Sequence, residues 1–226
     1  MSAGELRCEL PGAGRVLFTT RAEGNVSSVS GERSAQADGA REQLRKDIGV
    51  ARIARGRQVH GAFVARVREP QAPGAHGHTE ADGQATSLEG VAVMVLTADC
   101  LPVALGSPRA VAMLHAGWRG LAAGVLEQGV LAVRELDRSG DIVAVIGPGA
   151  DLVAAHPGAE VHAALTGVKR EPGAIDLRAI ARRRLLAAGV SQVREVHACT
   201  ICDERFFSHR RARLRAGRQA GVAWLS

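Results

Sequence analysis

Residues 97–120, TADCLPVALGSPRAVAMLHAGWRG, constrain this chain more than any other stretch. Two apolar runs, VAVMVL at 91–96 and AVAML at 110–114, have strand length and strand composition. The first leads into Cys100 and the second into His115. Leu101-Pro102 and Gly117 interrupt the pattern, so both runs are expected to stop there. Neighbouring strands that end at one edge would set a thiol beside an imidazole, the pair that a metal site or a cysteine nucleophile needs. His60, in QVHG, ends another short stretch and adds a third donor. His60, Cys100 and His115 match the three protein ligands of a catalytic zinc that keeps one position open. Spacing alone leaves a second reading standing, in which the histidines are hydrogen-bonded side chains at strand ends.

Composition narrows the class. A chain of 226 residues with 46% hydrophobic content can bury a sizeable core in one domain, here taken as 1–226. Aromatics make up 3% and tyrosine is absent, so that core must be aliphatic. No apolar run reaches membrane-spanning length, and the N-terminus lacks a charged-then-apolar leader pattern. A cytoplasmic, monomeric protein without a membrane partner is expected. In a reducing compartment Cys8, Cys100, Cys199 and Cys202 are thiols or ligands rather than a disulfide framework. Cys199 and Cys202 form one CxxC, where a zinc ribbon would need two. The net charge of +6 comes almost wholly from arginine. These charges are spread along the chain without an aromatic platform, which argues against a nucleic-acid partner.

The pattern along the chain reads as mixed α/β. Strands are expected at 16–21, within QVHGAFVARV, in the two apolar runs, in DIVAVIGPG, in VREVHAC and in GVAWL. Residues 24–39 and 70–83 read as loops. Helices are expected at 40–48, over 118–137 as one long amphipathic element, in AEVHAAL, and in DLRAIARRRLLAAG. The last has Asp176 as N-cap and Gly189 as its stop. Without a regular βαβ repeat, one domain with a mixed sheet fits best.

Other residues are weaker candidates. His76 and His78 form an H-x-H pair in a glycine-rich loop, and His156, His162, His197 and His209 have no ligand partner at short spacing. Asp99 could hold an imidazole or a substrate hydroxyl, or simply form a turn. Arg119 stands at an expected helix start where an anion could dock.

The motifs together resemble one family. FTTR at 18–21, QVHG at 58–61, EADG at 80–83, TADCLPV at 97–103, HAGWRG at 115–120, IGP at 146–148, RFFSHRR at 205–211 and the closing GRQAGVAWL are similar to the YfiH-like family. That family is also called the laccase-domain, polyphenol oxidase or peptidoglycan editing factor family. The resemblance implies a layered α/β fold of the Cys–His hydrolase-like kind and a metal site, usually zinc, at His60, Cys100 and His115. It implies phosphorolysis of adenosine, inosine and methylthioadenosine, with adenosine deamination beside it. Arg21, Arg119 and Arg210 become candidates for phosphate, because guanidinium matches phosphate bidentately. Gln58 joins them as a substrate contact, and Asp99 as a group that orients a ribose hydroxyl or protonates the departing base. A Cys100 thiolate hydrolase acting on cell-wall precursors, with His115 as base, is the alternative enzyme. A non-catalytic metal-binding protein is the third reading. Multicopper chemistry fits badly with eight histidines and one H-x-H pair. A single copper is harder to set aside, since two histidines and a cysteine are also a blue-copper set. Met94 and Met113, the available axial ligands, lie in apolar runs and read as core. The chain departs from the family after TTR, where GNVSSVSGERSAQ replaces a G-G-V-S turn and no S-L-N-x-G follows, and again at GPGA.

Overall fold

The apolar stretch from Val91 to Ala116 forms three strands, not two: β6 (Val91–Thr97), β7 (Leu101–Ser107) and β8 (Ala110–Ala116). The expected stop at Leu101-Pro102 is instead a strand start. Pro102 lies opposite His115 in the β7–β8 ladder. Its carbonyl accepts from Gly147 N at 2.8 Å, on the side where β9 (Val143–Ile146) has just ended. The missing proline N–H therefore removes no rung between β7 and β8. Cys100 lies just before β7 and His115 near the end of β8, so the antiparallel pair still brings them to one edge. The two apolar runs themselves belong to different sheets.

The computed structural model describes residues 6–27, 34–69, 79–150, 163, 165 and 175–226. One sheet has the order β1-β2-β11-β6-β3, with β1 (Arg7–Glu9), β2 (Gly14–Phe18), β3 (Arg52–Ala54) and β11 (Gln219–Leu225). The other has the order β10-β9-β7-β8-β5-β4, with β4 (Val64–Val67), β5 (Gly83–Thr86) and β10 (Gln192–Glu195). Each is mixed: β3–β6, β4–β5 and β9–β10 pair in parallel and the other neighbours antiparallel.

The sheets pack face to face. Val16, Phe18, Val93, Val95 and Ala223 of the first meet Ala104, Val111, Met113 and Val145 of the second. The alternate residues point outward and are covered in turn. Leu17, Met94, Val222 and Trp224 lie under helix α1 (Ser34–Asp47) through Leu44, with Ile48 just beyond its end. Val103, Leu105 and Leu114 lie under α3 (Val125–Leu136) and α4 (Leu177–Ala187) through Leu126, Val130, Ile180 and Leu185. The result is a four-layer α/β/β/α sandwich. Burial on both faces explains why β6, β7 and β8 read as continuous apolar runs rather than alternating ones.

Several element boundaries differ from the sequence pattern. The helix expected over 118–137 is two: α2 (Trp118–Ala123) ends at Gly124, whose φ of 93° only glycine adopts cheaply, and α3 starts anew. Helix α1 begins at Ser34, inside the expected loop, and in QVHGAFVARV only Val64–Val67 is strand. The three-residue strands β1 and β3 are too short to show a period, and β5 lies partly within the expected loop 70–83. Helix α4 starts as expected, Asp176 accepting from Ala179 N, and Gly189 follows its end with φ 87°. The helix expected in AEVHAAL falls almost wholly outside the described residues.

Candidate functional site

A buried carboxylate organises the site. Asp82, fully buried just before β5, accepts three successive main-chain N–H groups: Val59 at 3.0 Å, His60 at 2.9 Å and Gly61 at 2.7 Å. Wrapping QVHG around one carboxylate forces His60 into the left-handed region at φ 61°, uncommon for a residue with a side chain. The same carboxylate holds His115 Nδ1 at 2.8 Å. His115 therefore turns its Nε2 away from Asp82, towards Cys100 and His60. The two imidazoles meet edge to face with centroids 4.8 Å apart. A carboxylate behind an imidazole in this way fixes ring orientation and raises ligand basicity.

The thiol arrives from the other side. Asp99, φ 91°, makes the turn that places Cys100. The Asp99 carboxylate accepts from Thr200 Oγ1 at 2.8 Å and from Arg210 N at 2.7 Å, and its carbonyl accepts from Ala150 N at 2.8 Å. The donor atoms of His60, Cys100 and His115 all lie within 4.8 Å of one another. Gly117 keeps that space open: a Cβ there would stand 2.9 Å from Cys100 Sγ and 3.2 Å from His60 Cδ2.

Electrostatics favour the charged forms of Cys100, His115 and Asp82. Burial opposes a Cys100 thiolate, but the His115 charge and hydrogen bonds from His115 and His60 outweigh it and bring the thiol down to about 6. Burial likewise opposes a His115 imidazolium, yet the facing thiolate and Asp82 lift it to about 9. Burial also pushes the Asp82 carboxyl up, but hydrogen bonds from His115, Val59 and Gly61 leave it below its ordinary value. Two histidines and a cysteine, with a carboxylate behind one ring and a cavity in front, form a donor set that could hold a metal ion.

The cavity in front has a volume of about 650 Å³. Leu96, Ala98, Trp118 and Leu177 give it an apolar wall. Arg55, Arg57, Arg119, Arg210 and Arg218 give it cationic groups. Arg119 stacks over the Trp118 ring at 4.4 Å. The Arg218 guanidinium, its charge disfavoured by burial and supported by Cys100 and Asp99, donates to the carbonyls of Ala216 and Gly217.

Of the residues singled out in the sequence, His60, Gln58, Asp99, Cys100, His115, Arg119 and Arg210 line this cavity, and so does His209, read there as a weaker candidate. Gln58 spends both ends of its amide on Leu96, each at 2.8 Å, and so pins the QVHG segment to β6. Asp99 holds the 200–210 loop, not an imidazole. Arg21 stands outside the lining, 5.3 Å from the Phe207 ring. Met94 and Met113 are buried in the core and are not in the lining. His76, His78, His156 and His162 fall outside the described residues. Asp82 and Arg55 are the residues that sequence reasoning missed. Asp82 was visible only as part of the EADG motif, whereas Arg218 belongs to the arginine run 205–218, which reads either as a solvated face or as guanidinium groups for an anion.

The family model described as multi-copper polyphenol oxidoreductase laccase matches residues 14–226. The chain belongs to the YfiH family. It is 39% identical over 235 residues to a purine nucleoside phosphorylase of Xylella fastidiosa, covering 95% of this chain and 88% of that one. It is 38% identical over 183 residues to purine nucleoside phosphorylase YfiH of Escherichia coli, covering 74% and 72%. Among solved structures, YlmD from Geobacillus stearothermophilus superposes with a TM-score of 0.85 at 27% identity, covering 94% of this chain and 92% of YlmD. A Neisseria meningitidis protein of the same family gives a TM-score of 0.83 at 29% identity, with 98% and 99% covered. These relatives share the mixed α/β fold. No helix among the described residues is long and apolar enough to cross a membrane. Among the described residues, one group of three histidine and cysteine donors is placed to hold an ion, fewer than a multi-copper centre requires.

Proposed function

We propose that this YfiH-family chain is a zinc-dependent purine nucleoside phosphorylase, acting on adenosine, inosine and methylthioadenosine. The observation that carries this reading is the His60–Cys100–His115 donor set in the wall of a cavity that combines an apolar surface with guanidinium groups. The names of its relatives support the reaction class. His60, Cys100 and His115 would hold the metal, which when bound supplies a Lewis acid. Leu96, Ala98 and Trp118 would pack against the purine. Arg119, Arg210 and Arg218 would hold inorganic phosphate beside the ribose. A phosphate oxygen attacks C1′, the C1′–N9 bond breaks, and the purine leaves with that electron pair and takes up the phosphate proton. Asp99 acts through Arg210, by fixing the main chain that carries it, rather than through the substrate. Adenosine deamination is a second outcome of the same cavity: water adds at C6 in place of phosphate at C1′, the C6–N6 bond breaks, the amino group takes up a proton and ammonia leaves.

One observation favours a second reading. Cys100, His115 and Asp82 line up as a thiolate, an imidazolium and an orienting carboxylate, the arrangement of a cysteine hydrolase. His60 separates the two, because a hydrolase of that kind does not need it. Metal content and adenosine turnover are measured on one untagged preparation, with and without phosphate. The phosphorylase reading predicts about one zinc per chain. It also predicts phosphate-dependent adenine release, lost in His60→Ala. Hydrolytic turnover of a cell-wall precursor that survives His60→Ala would instead make Cys100 a nucleophile. Bound copper with phenol oxidation would overturn both.

A further inference from the structure

The cavity has a second cationic pole away from the metal ligands. Arg55 follows β3, which pairs in parallel with β6 in the register Ala54 opposite Val93. Arg55 is therefore abreast of Met94, three residues before the end of β6 at Thr97. At about 3.3 Å per residue, its main chain lies roughly 10 Å behind the edge from which Cys100 emerges. Gln58, bonded to Leu96, and His60 mark the path between the two poles.

Arg55 is half-buried, lines the cavity, and has no hydrogen-bond or ion-pair partner among the described residues. The charged groups that reach it come from α1. Arg41, which donates to the Val26 carbonyl at 2.5 Å, repels it, and Asp38 attracts it from a distance but is paired with Arg41. Burial is the main opposition to the Arg55 charge, and the Arg41 repulsion adds to it. The other cavity cations are engaged differently: Arg57 pairs with Glu80, Arg119 stacks on Trp118, and Arg218 faces Cys100 and Asp99. Asp99 is the one carboxylate in the described lining. A half-buried cation with a cationic neighbour and no acceptor lacks the anion that would compensate it.

We infer that Arg55 forms a second anion subsite that receives the 5′-phosphate of a purine nucleoside monophosphate. The inference rests on the proposed phosphorylase reading for its chemistry and on the cavity alone for binding. The nucleotide spans the two poles, its C1′ near the metal-side arginines and its 5′-phosphate at Arg55. Inorganic phosphate attacks C1′ and the C1′–N9 bond breaks. The purine leaves with the electron pair and takes the proton of the attacking hydrogen phosphate. The products are ribose 1,5-bisphosphate and the free base.

The test compares AMP with adenosine, first by calorimetric binding and then by turnover with inorganic phosphate. Wild-type, Arg55→Met and Arg55→Lys proteins are compared, with near-ultraviolet circular dichroism as the check on folding. The subsite predicts that AMP binds more tightly than adenosine. That preference should fall about tenfold or more in Arg55→Met and be partly restored in Arg55→Lys. Equal binding of AMP and adenosine by the wild type would overturn it. So would an Arg55→Met effect that is the same for both ligands, or one that appears as a raised KM for inorganic phosphate with adenosine. An Arg55-dependent AMP preference without base release from either ligand would uphold the subsite and overturn the phosphorylase reading.

Discussion

Two buried aspartates stand at opposite ends of the β7–β8 hairpin, and the difference between them separates function from architecture. Asp137, at the end of α3, accepts from Ser107 Oγ and Arg109 N, both at 2.9 Å, and from Ser139 N at 3.0 Å and Ser139 Oγ at 2.6 Å. Asp82 accepts three N–H groups and one imidazole at the other end. Burial works against the charge in both cases, and hydrogen bonds overcome it in both. The partners of Asp137 are hydroxyls and main-chain amides, with the exposed Arg109 guanidinium at 3.5 Å, and none of them lines the cavity in front of Cys100. Asp82 instead ends on a ring whose far nitrogen faces a thiol. A buried carboxylate is thus a fastening by default. It becomes part of a site when one of its donors can pass the charge on to a cavity.

The largest effect is expected at Asp82. Asp82→Ala should lower metal affinity by about 100-fold, because His115 loses its orienting partner and the left-handed turn at His60 loses its acceptor. Competition with a chelator of known affinity measures this. Retained affinity would reduce Asp82 to a second Asp137. The reciprocal change is smaller and of another kind. Asp137→Asn should cost about 2–3 kcal/mol of stability in chemical denaturation. It should leave the metal stoichiometry of the folded protein as it was.

The smallest effect is the pH dependence of that loss. Burial pushes the Asp137 carboxyl up, but bonds from Ser139, Ser107 and Arg109 hold it well below the ordinary carboxylate range. A carboxyl with a depressed folded pKa contributes stability above its unfolded value of about 4 and loses it as the pH falls towards the folded value. The gap between wild type and Asp137→Asn should therefore be full at neutral pH and close below about pH 4. A gap that persisted under acid would mean that the carboxylate charge is not what Ser107 and Ser139 hold.

The same contrast explains what the sequence made legible. The three donors could be read because each follows a short strand-like stretch, and the sheets could be read because both faces of β6–β8 are apolar. Pro102 misled because its effect depends on where β9 stops, which lies more than forty residues downstream. Gly124 did not show as a helix break, since the 3–4 spacing of Leu121, Val125 and Leu126 continues across it. Asp82 and Asp137 were not legible as partners, because their roles lie in contacts made from far along the chain. Arg21 was drawn to the site by motif alone, and the fold turns it towards Phe207. Asp99 and Gln58 lie where the motif puts them, but their polar atoms bind the protein's own chain.

His60, Cys100 and His115 are proposed to hold one metal ion through a Cys100 thiolate. Cobalt(II) titration of the metal-free protein tests it most directly, because thiolate-to-cobalt charge transfer absorbs in the near ultraviolet and a distorted tetrahedral site gives visible bands. Saturation is expected at about one cobalt per chain, with the charge-transfer band absent in Cys100→Ser and the visible bands altered in His60→Ala. A thiolate band that survives Cys100→Ser would place the metal on another cysteine and overturn the His60–Cys100–His115 site.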